Sequence, residues 1–375
     1  MTSPKYNITW KTFVIPLVGL VAFFAYILIF NVDILEIIST IRHADPGLYS
    51  IAVIAALLDT VFFTLAWHSL LRFLHVNISL FRKFLFVWVG IFVDTIIPAE
   101  SVSGEVSKIY LVNRDQVGSA GKATASIVVQ RLIGMVINVA TLAVGATLLA
   151  LTTGSFGILF WLIIVLVGLT ALFFSLILLL CLRQDWTMRI LNALINFGER
   201  VTRGRWKLAK IREDALEAAR TFHVAIKEYV RAPKTLISAS FFSALSWIFS
   251  LAIFYLTFQA IGYHEISWSA ILVTSSIFIA VKSIPIGIPF EVGLPEATLT
   301  TLFVFFGIPA GIAATATILS RLLTLWMRFF IGFFAQQWLG IKAMTTIPSD
   351  PEAFFRIQKT QISPNVSHKD DQDDT

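Results

Sequence analysis

Ile97-Pro98-Ala99-Glu100-Ser101-Val102-Ser103-Gly104-Glu105 breaks a long apolar run, and Arg131 follows inside the next one. The same Ile-Pro-x-Glu-x4-Glu pattern returns 191 residues later as Ile288-Pro289-Phe290-Glu291-Val292-Gly293-Leu294-Pro295-Glu296, followed by Arg321. From carboxylate to arginine the spacing is 26 residues in the first copy (Glu105 to Arg131) and 25 in the second (Glu296 to Arg321). A duplicated unit of helix breaker, acid and base within apolar sequence predicts two halves built alike around a polar centre. That pattern points to a transporter before any other class.

Hydrophobic residues make up 57% of the 375 and charged residues 14%, and the mean hydropathy is +0.80. Soluble domains carry roughly a quarter charged residues, so the composition predicts a polytopic membrane protein. The formal charge of +6 does not argue for nucleic acid, because the basic residues cluster in loops beside apolar runs, where the positive-inside rule accounts for them. Cys181 is the one cysteine, which excludes a disulfide framework or a thiolate metal site within the chain. No metal-spaced His or Cys cluster, Gly-rich phosphate loop or Ser-centred elbow occurs, so no metal, no cofactor and no enzymatic activity are expected.

Six runs are long enough to cross a bilayer: about Phe13–Phe30, Tyr49–Leu74, Ala123–Leu151, Phe156–Leu182, Leu236–Ile261 and Ala310–Leu339. The first is too long for a signal-peptide core and is expected to be a retained span. Two further apolar regions, Phe81–Arg114 and Trp268–Ile308, are broken near their middles by the proline and acid strings. Each reads as two half-helices around a loop, a re-entrant hairpin, because proline and carboxylates at membrane depth need protein or water around them.

Lys and Arg counts set the expected orientation. Twelve fall between Arg183 and Lys234, none in Thr152–Ser155 or Gly262–Ser267, and one, Arg42, between Asn31 and Tyr49. The basic connection is therefore expected to be cytoplasmic, together with both termini. The first hairpin then enters from the inside, beside Arg82, Lys83, Lys108, Arg114 and Lys122, and the second from the outside. The fold class predicted is an all-α polytopic membrane protein with six full spans and two re-entrant hairpins in an inverted-topology repeat, all within one membrane domain (repeats at about 49–151 and 236–339). Residues 183–234, with Leu208, Ile211 and Leu216 at helical spacing among charges, are expected to form cytoplasmic interfacial helices. The acidic tail from Ser349 is expected to be disordered.

A charge inside a span costs about 3 kcal/mol on insertion scales, so Arg131 and Arg321 each need a partner or a watery cavity. Each guanidinium suits either of two tasks: stapling its hairpin through Glu105 or Glu296, or offering a fork to a passing phosphate. Arg328, seven residues beyond Arg321, is expected as a second cationic step on the same helix face. Glu105 and Glu296 stand where half-helices should begin and suit a capping role. Glu100 and Glu291, in the loops, are the better candidates for proton or substrate binding. Asp94, Lys282 and Asp59 are intramembrane ions and candidates by that fact, although pairs such as Asp94 with Arg131 or Lys282 with Glu291 would satisfy them structurally. Pro98, Gly104, Gly287, Pro289, Gly293 and Pro295 are assigned to hairpin structure. His68 and Arg72 are expected to snorkel at the cytoplasmic end of their span.

The stretch with Pro98, Gly104-Glu105 and Gln130-Arg131-Leu132, the stretch with Pro289, Gly293, Glu296 and Arg321, and Ala66-Trp67-His68-Ser69-Leu70-Leu71 together resemble the lysylphosphatidylglycerol synthase transmembrane-region family, over about Phe13–Met344. Gln130 stands where that family often has an acid, and Asp94 where an amide is common. The resemblance implies a flippase-like protein without the aminoacyl-transferring soluble domain of the bacterial fusions. The expected function is a flippase or transporter of a polar-headed, phosphate-containing lipid or lipid-linked precursor in the cell membrane. Its expected partner is that lipid. The alternatives are a membrane-embedded enzyme acting on a lipid-linked substrate, with hairpin carboxylates as acid and base, or an accessory subunit of such an enzyme.

Overall fold

The computed structural model describes residues 34–97, 102–153, 158–201, 209–282 and 293–340. The predicted span Phe13–Phe30, the loop residues Pro98, Glu100, Gly287, Pro289 and Glu291, and the acidic tail lie outside the described residues. All regular structure within them is helical: α1 (Ile34–His43), α2 (Pro46–Phe73), α3 (Leu80–Ile96), α4 (Val102–Asp115), α5 (Ala120–Thr153), α6 (Ile158–Leu182), α7 (Gln184–Val201), α8 (Ala209–Val230), α9 (Pro233–Ala260), α10 (Trp268–Lys282), α11 (Leu294–Phe305), α12 (Ala310–Arg321), a π-helical segment (Leu322–Met327) and α13 (Arg328–Trp338).

Among the described residues, four segments are long and apolar enough to cross a membrane: Pro46–Phe73, Ala120–Leu151, Pro233–Ala260 and Ala310–Trp338. A fifth is added if α6 and α7, bent by 97° at their junction, count as one. The run Phe156–Leu182 corresponds to α6. The connection read between Asn31 and Tyr49 contains a helix, α1, which the span count overlooked because the run is short.

Local chemistry explains the boundaries. Asp45 caps α2, its Oδ1 accepting from the N–H groups of Gly47 at 2.7 Å and Leu48 at 3.2 Å, and Pro46 sits in the first turn, where its missing N–H costs nothing. Ser79 Oγ caps α3 through Arg82 N at 3.4 Å. In the second hairpin Gly293 adopts φ +104°, a left-handed backbone that glycine tolerates, and α11 follows with Pro295 in its first turn.

The helices pack in matched pairs. α2 lies along α9, where Phe62 stacks on Phe249 with centroids 5.4 Å apart. The two arms of each broken region pack on one another, α3 on α4 and α10 on α11. The second arm of each then leans on the spanning helix that follows it, α4 on α5 and α11 on α12. The first arms cross over: α3 packs on α13, and α10 on α5. A glycine permits both crossings, because a Cβ at Gly332 would lie 2.5 Å from the Trp88 carbonyl oxygen and one at Gly145 would lie 2.9 Å from Leu272 Cβ. Rings of Phe92 and Phe329, 5.1 Å apart, fill the first crossing.

α8 braces one end of this bundle. Tyr229 Oη donates to the Leu70 carbonyl at 2.9 Å, and His223 Nδ1 donates to the Cys181 carbonyl at 3.0 Å. Those bonds tie α8 to α2 and α6. α7 turns away from α6, with Trp186 and Ile190 exposed one turn apart on it, apolar residues on one side of the helix.

Candidate functional site

The polar centre is built from four helices of the first half and joined to the second. Arg131 on α5 reaches Glu105 on α4, with Nε donating to Oε1. The corresponding pair in the second half has Arg321 Nε donating to Glu296 Oε1 at 2.6 Å. The other carboxylate oxygen of Glu296 accepts from Gly293 N at 2.7 Å, so one acid caps the half-helix and anchors the arginine. Both arginines thus have the glutamate partners that the stapling alternative names.

The two pairs differ in access. Side-chain exposure is 38% for Arg131 and 22% for Glu105, against 5% and 6% for Arg321 and Glu296. The first pair faces open space, and the second is sealed inside protein. Asp94 does not pair with Arg131. Its Oδ1 accepts from Ser103 Oγ at 2.8 Å and Gly104 N at 2.6 Å, so it caps the start of α4 from the opposite arm. That cap needs Gly104, where a Cβ would lie 2.3 Å from both Asp94 Oδ2 and the Gly90 carbonyl oxygen. Asp94 is also within electrostatic reach of Lys108 and Lys282, which brings the end of α10 near the first hairpin.

The regular two-turn spacing expected from Arg321 to Arg328 is interrupted. The π-helical segment between them widens the turn, so seven residues no longer make two α-helical turns. Arg328 instead donates from Nη2 to Asp59 Oδ2, while Ser246 Oγ donates to Asp59 Oδ1. Asp59 thus joins α2, α9 and α13. Beside the π segment, side chains take up backbone carbonyls: Tyr49 Oη donates to Leu319 O at 3.1 Å and Thr324 Oγ1 to Ser320 O at 2.9 Å.

Lys108, expected among the basic residues beside the first hairpin, is buried in the bundle. It is 8% exposed, and its ammonium lies 5.5 Å from the ring centroids of both Phe63 and Trp67. It interacts electrostatically with Glu105, Asp94 and Arg131. Trp67 is held in place by its Nε1–H bond to Ser126 Oγ at 2.9 Å, and Gln130 Nε2 donates to the Phe63 carbonyl at 2.9 Å. The signal in the sequence was faint: Lys108 follows Gly104 by one helical turn on α4, the face that carries the hairpin contact. His68 likewise does not simply snorkel, since its Nδ1 lies 3.3 Å from Nζ of the buried Lys83. Among the described residues no group of three His, Cys, Asp or Glu side chains is placed to hold a metal.

Chemically, the centre offers cations with unequal access, carboxylates already bound to donors, and aromatic walls. Such a place suits an anion that is released again. Comparison with known proteins gives the chain relatives of similar length. It is 23% identical over 313 residues to the UPF0104 membrane protein PH1989 of Pyrococcus horikoshii, covering 82% of this chain and 91% of the relative. It is 24% identical over 338 residues to a UPF0104 membrane protein of Methanothermobacter thermautotrophicus, covering 88% and 96%. It is 25% identical over 340 residues to UPF0104 membrane protein MJ1595 of Methanocaldococcus jannaschii, covering 88% and 95%. The family model described as the lysylphosphatidylglycerol synthase TM region matches residues 13–332, which takes in Glu105, Lys108, Arg131, Glu296, Arg321 and Arg328. The chain is a multi-pass membrane protein and belongs to the lysylphosphatidylglycerol synthase transmembrane-region family.

Proposed function

We propose that this protein is a flippase or transporter that moves a polar-headed, phosphate-containing lipid or lipid-linked precursor across the cell membrane. The observation that carries the proposal is the half-open Arg131–Glu105 pair, a guanidinium accessible within an apolar helical bundle. An intramembrane arginine turned toward open space is costly unless it meets water or an anionic group there. The phosphate enters beside Arg131 while the acyl tails stay among lipids, and the carboxylates bind the cations when the site is empty.

Two re-entrant hairpins in an inverted-topology repeat provide the moving parts of this proposal. The matched contacts support it: α2 with α9, α3 with α13, α10 with α5, and one Arg–Glu pair in each half. Rocking of one half against the other alternates access to the centre. In this proposal the basic connection and both termini face the cytoplasm, and α7, which follows the 97° bend and exposes Trp186 and Ile190, lies along that membrane surface.

The test is reconstitution in liposomes with a fluorescent phospholipid, followed by quenching of the outer leaflet. The wild-type protein redistributes the lipid without changing it, and Arg131→Gln abolishes redistribution. Normal movement by the folded variant overturns the proposal, and a chemically altered lipid replaces it with an enzyme.

A further inference from the structure

We infer that Lys108 and Arg131 together form a phosphate-binding site walled by Phe63 and Trp67, and that Arg321 takes no part in it. The inference deepens the transport proposal by naming the anion site and by making the two halves unequal in function.

The argument starts from unmet hydrogen-bonding capacity. Among the described residues the ammonium of Lys108 makes no hydrogen bond and no ion pair, although the side chain is more than nine-tenths buried. A lysine ammonium carries three donors and is expensive to bury without an acceptor. The carboxylates nearby do not supply one. Asp94 is turned to Ser103 and Gly104, and Glu105 to Arg131. Arg131 uses Nε for Glu105, which leaves Nη1 and Nη2 without a hydrogen bond among the described residues. Lys108 and Arg131 are close enough to interact electrostatically, so their idle donors serve one region. Glu105 and Asp94 balance the two cations in charge and are the larger influences on Lys108, but their oxygens are committed to other donors. A tetrahedral phosphate has oxygens enough to accept from both cations.

The aromatic rings explain how Lys108 persists when the site is empty. Phe63 and Trp67 both lie 5.5 Å from its ammonium, a distance at which a cation is held weakly over ring faces. Weak holding suits a group that must exchange its partner. Arg321 has the opposite setting, with both it and its carboxylate sealed from solvent.

The site accepts phosphate whether it comes as a lipid headgroup or as a free anion, and binding measurements separate the two. Full-length protein in nanodiscs is loaded with phosphatidic acid or with a diacylglycerol of the same chains, and retention is read by native mass spectrometry with and without inorganic phosphate. Lys108→Gln is expected to lower retention of phosphatidic acid relative to diacylglycerol by roughly tenfold or more, the loss of one charge-assisted hydrogen bond, while Lys108→Arg retains it. Displacement by inorganic phosphate identifies a site for the free anion, and resistance to it identifies a headgroup site. In the wild-type protein phosphatidic acid, unlike diacylglycerol, shields Lys108 from reductive methylation, with the more exposed Lys122 as the internal control, so the test does not depend on a variant folding. Unchanged retention by Lys108→Gln, equal loss with Lys108→Arg, or no shielding of Lys108 overturns the inference. Retention needs no movement between leaflets, so a protein that holds phosphatidic acid without moving it overturns the transport proposal and leaves this site standing.

Discussion

Arg321 and Glu296 form a sealed ion pair whose carboxylate also caps α11 through Gly293. Removing one member leaves the other charge buried alone, which typically costs about 3 to 5 kcal/mol. Arg321→Gln is therefore expected to lower the melting temperature in detergent markedly. Arg131→Gln, in a pair open to its surroundings, is expected to lower it much less while removing transport. Equal melting of the two variants would show that access does not separate the roles.

Gly104→Ala tests the seat of the first hairpin. The added methyl meets Asp94 and the Gly90 backbone together, and overpacking of this kind costs about 1 to 3 kcal/mol or more. Gly134 has open space where its Cβ would go, so Gly134→Ala serves as the control. The expected outcome is loss of folded yield and a lower melting temperature for the first and no change for the second.

Asp59 and Arg328 are coupled across α2 and α13. In a double-mutant cycle with Asp59→Asn and Arg328→Gln, the effects on melting should fall short of additive, with a coupling energy of roughly 0.5 to 3 kcal/mol. Strict additivity would remove this contact from the account of the polar centre.

His223 provides a pH dependence outside the spans. Burial pushes its pKa below the usual histidine value, Lys227 adds to that, and the bond to the Cys181 carbonyl opposes it. Because Nδ1 donates to that carbonyl, a second proton would go to Nε2, which is buried without an acceptor. The unfolded chain binds this proton more readily, so stability falls as pH drops through the ordinary histidine range toward the lowered value. Melting at pH 7 against pH 5 should show the loss, and His223→Gln should flatten the curve.

The long elements were legible because uninterrupted apolar runs have few structural options in a bilayer. Tyr49–Leu74 became α2, starting three residues earlier at Pro46 because Asp45 supplies a cap. Both arginine partners, Glu105 and Glu296, followed from near-equal spacing. The π-helical segment was illegible, since Leu322–Met327 has ordinary helical composition. The α-helical spacing expected from Arg321 to Arg328 is interrupted there. The burial of Lys108 was not legible because burial of a lysine beside a basic loop depends on Trp67 and Phe63, some 40 residues earlier, being carried to it by the fold.

The crossing of α3 onto α13 has a consequence for biogenesis. The surface that receives the first hairpin arm belongs to the last helix of the described bundle, so that surface does not exist while the ribosome is still making the first half. Gly332, which allows the close seat, arrives at its very end. The first hairpin must therefore wait in a provisional position and take its final one only after synthesis of the second half, which makes assembly of this protein a late, concerted step and leaves each half unable to finish alone.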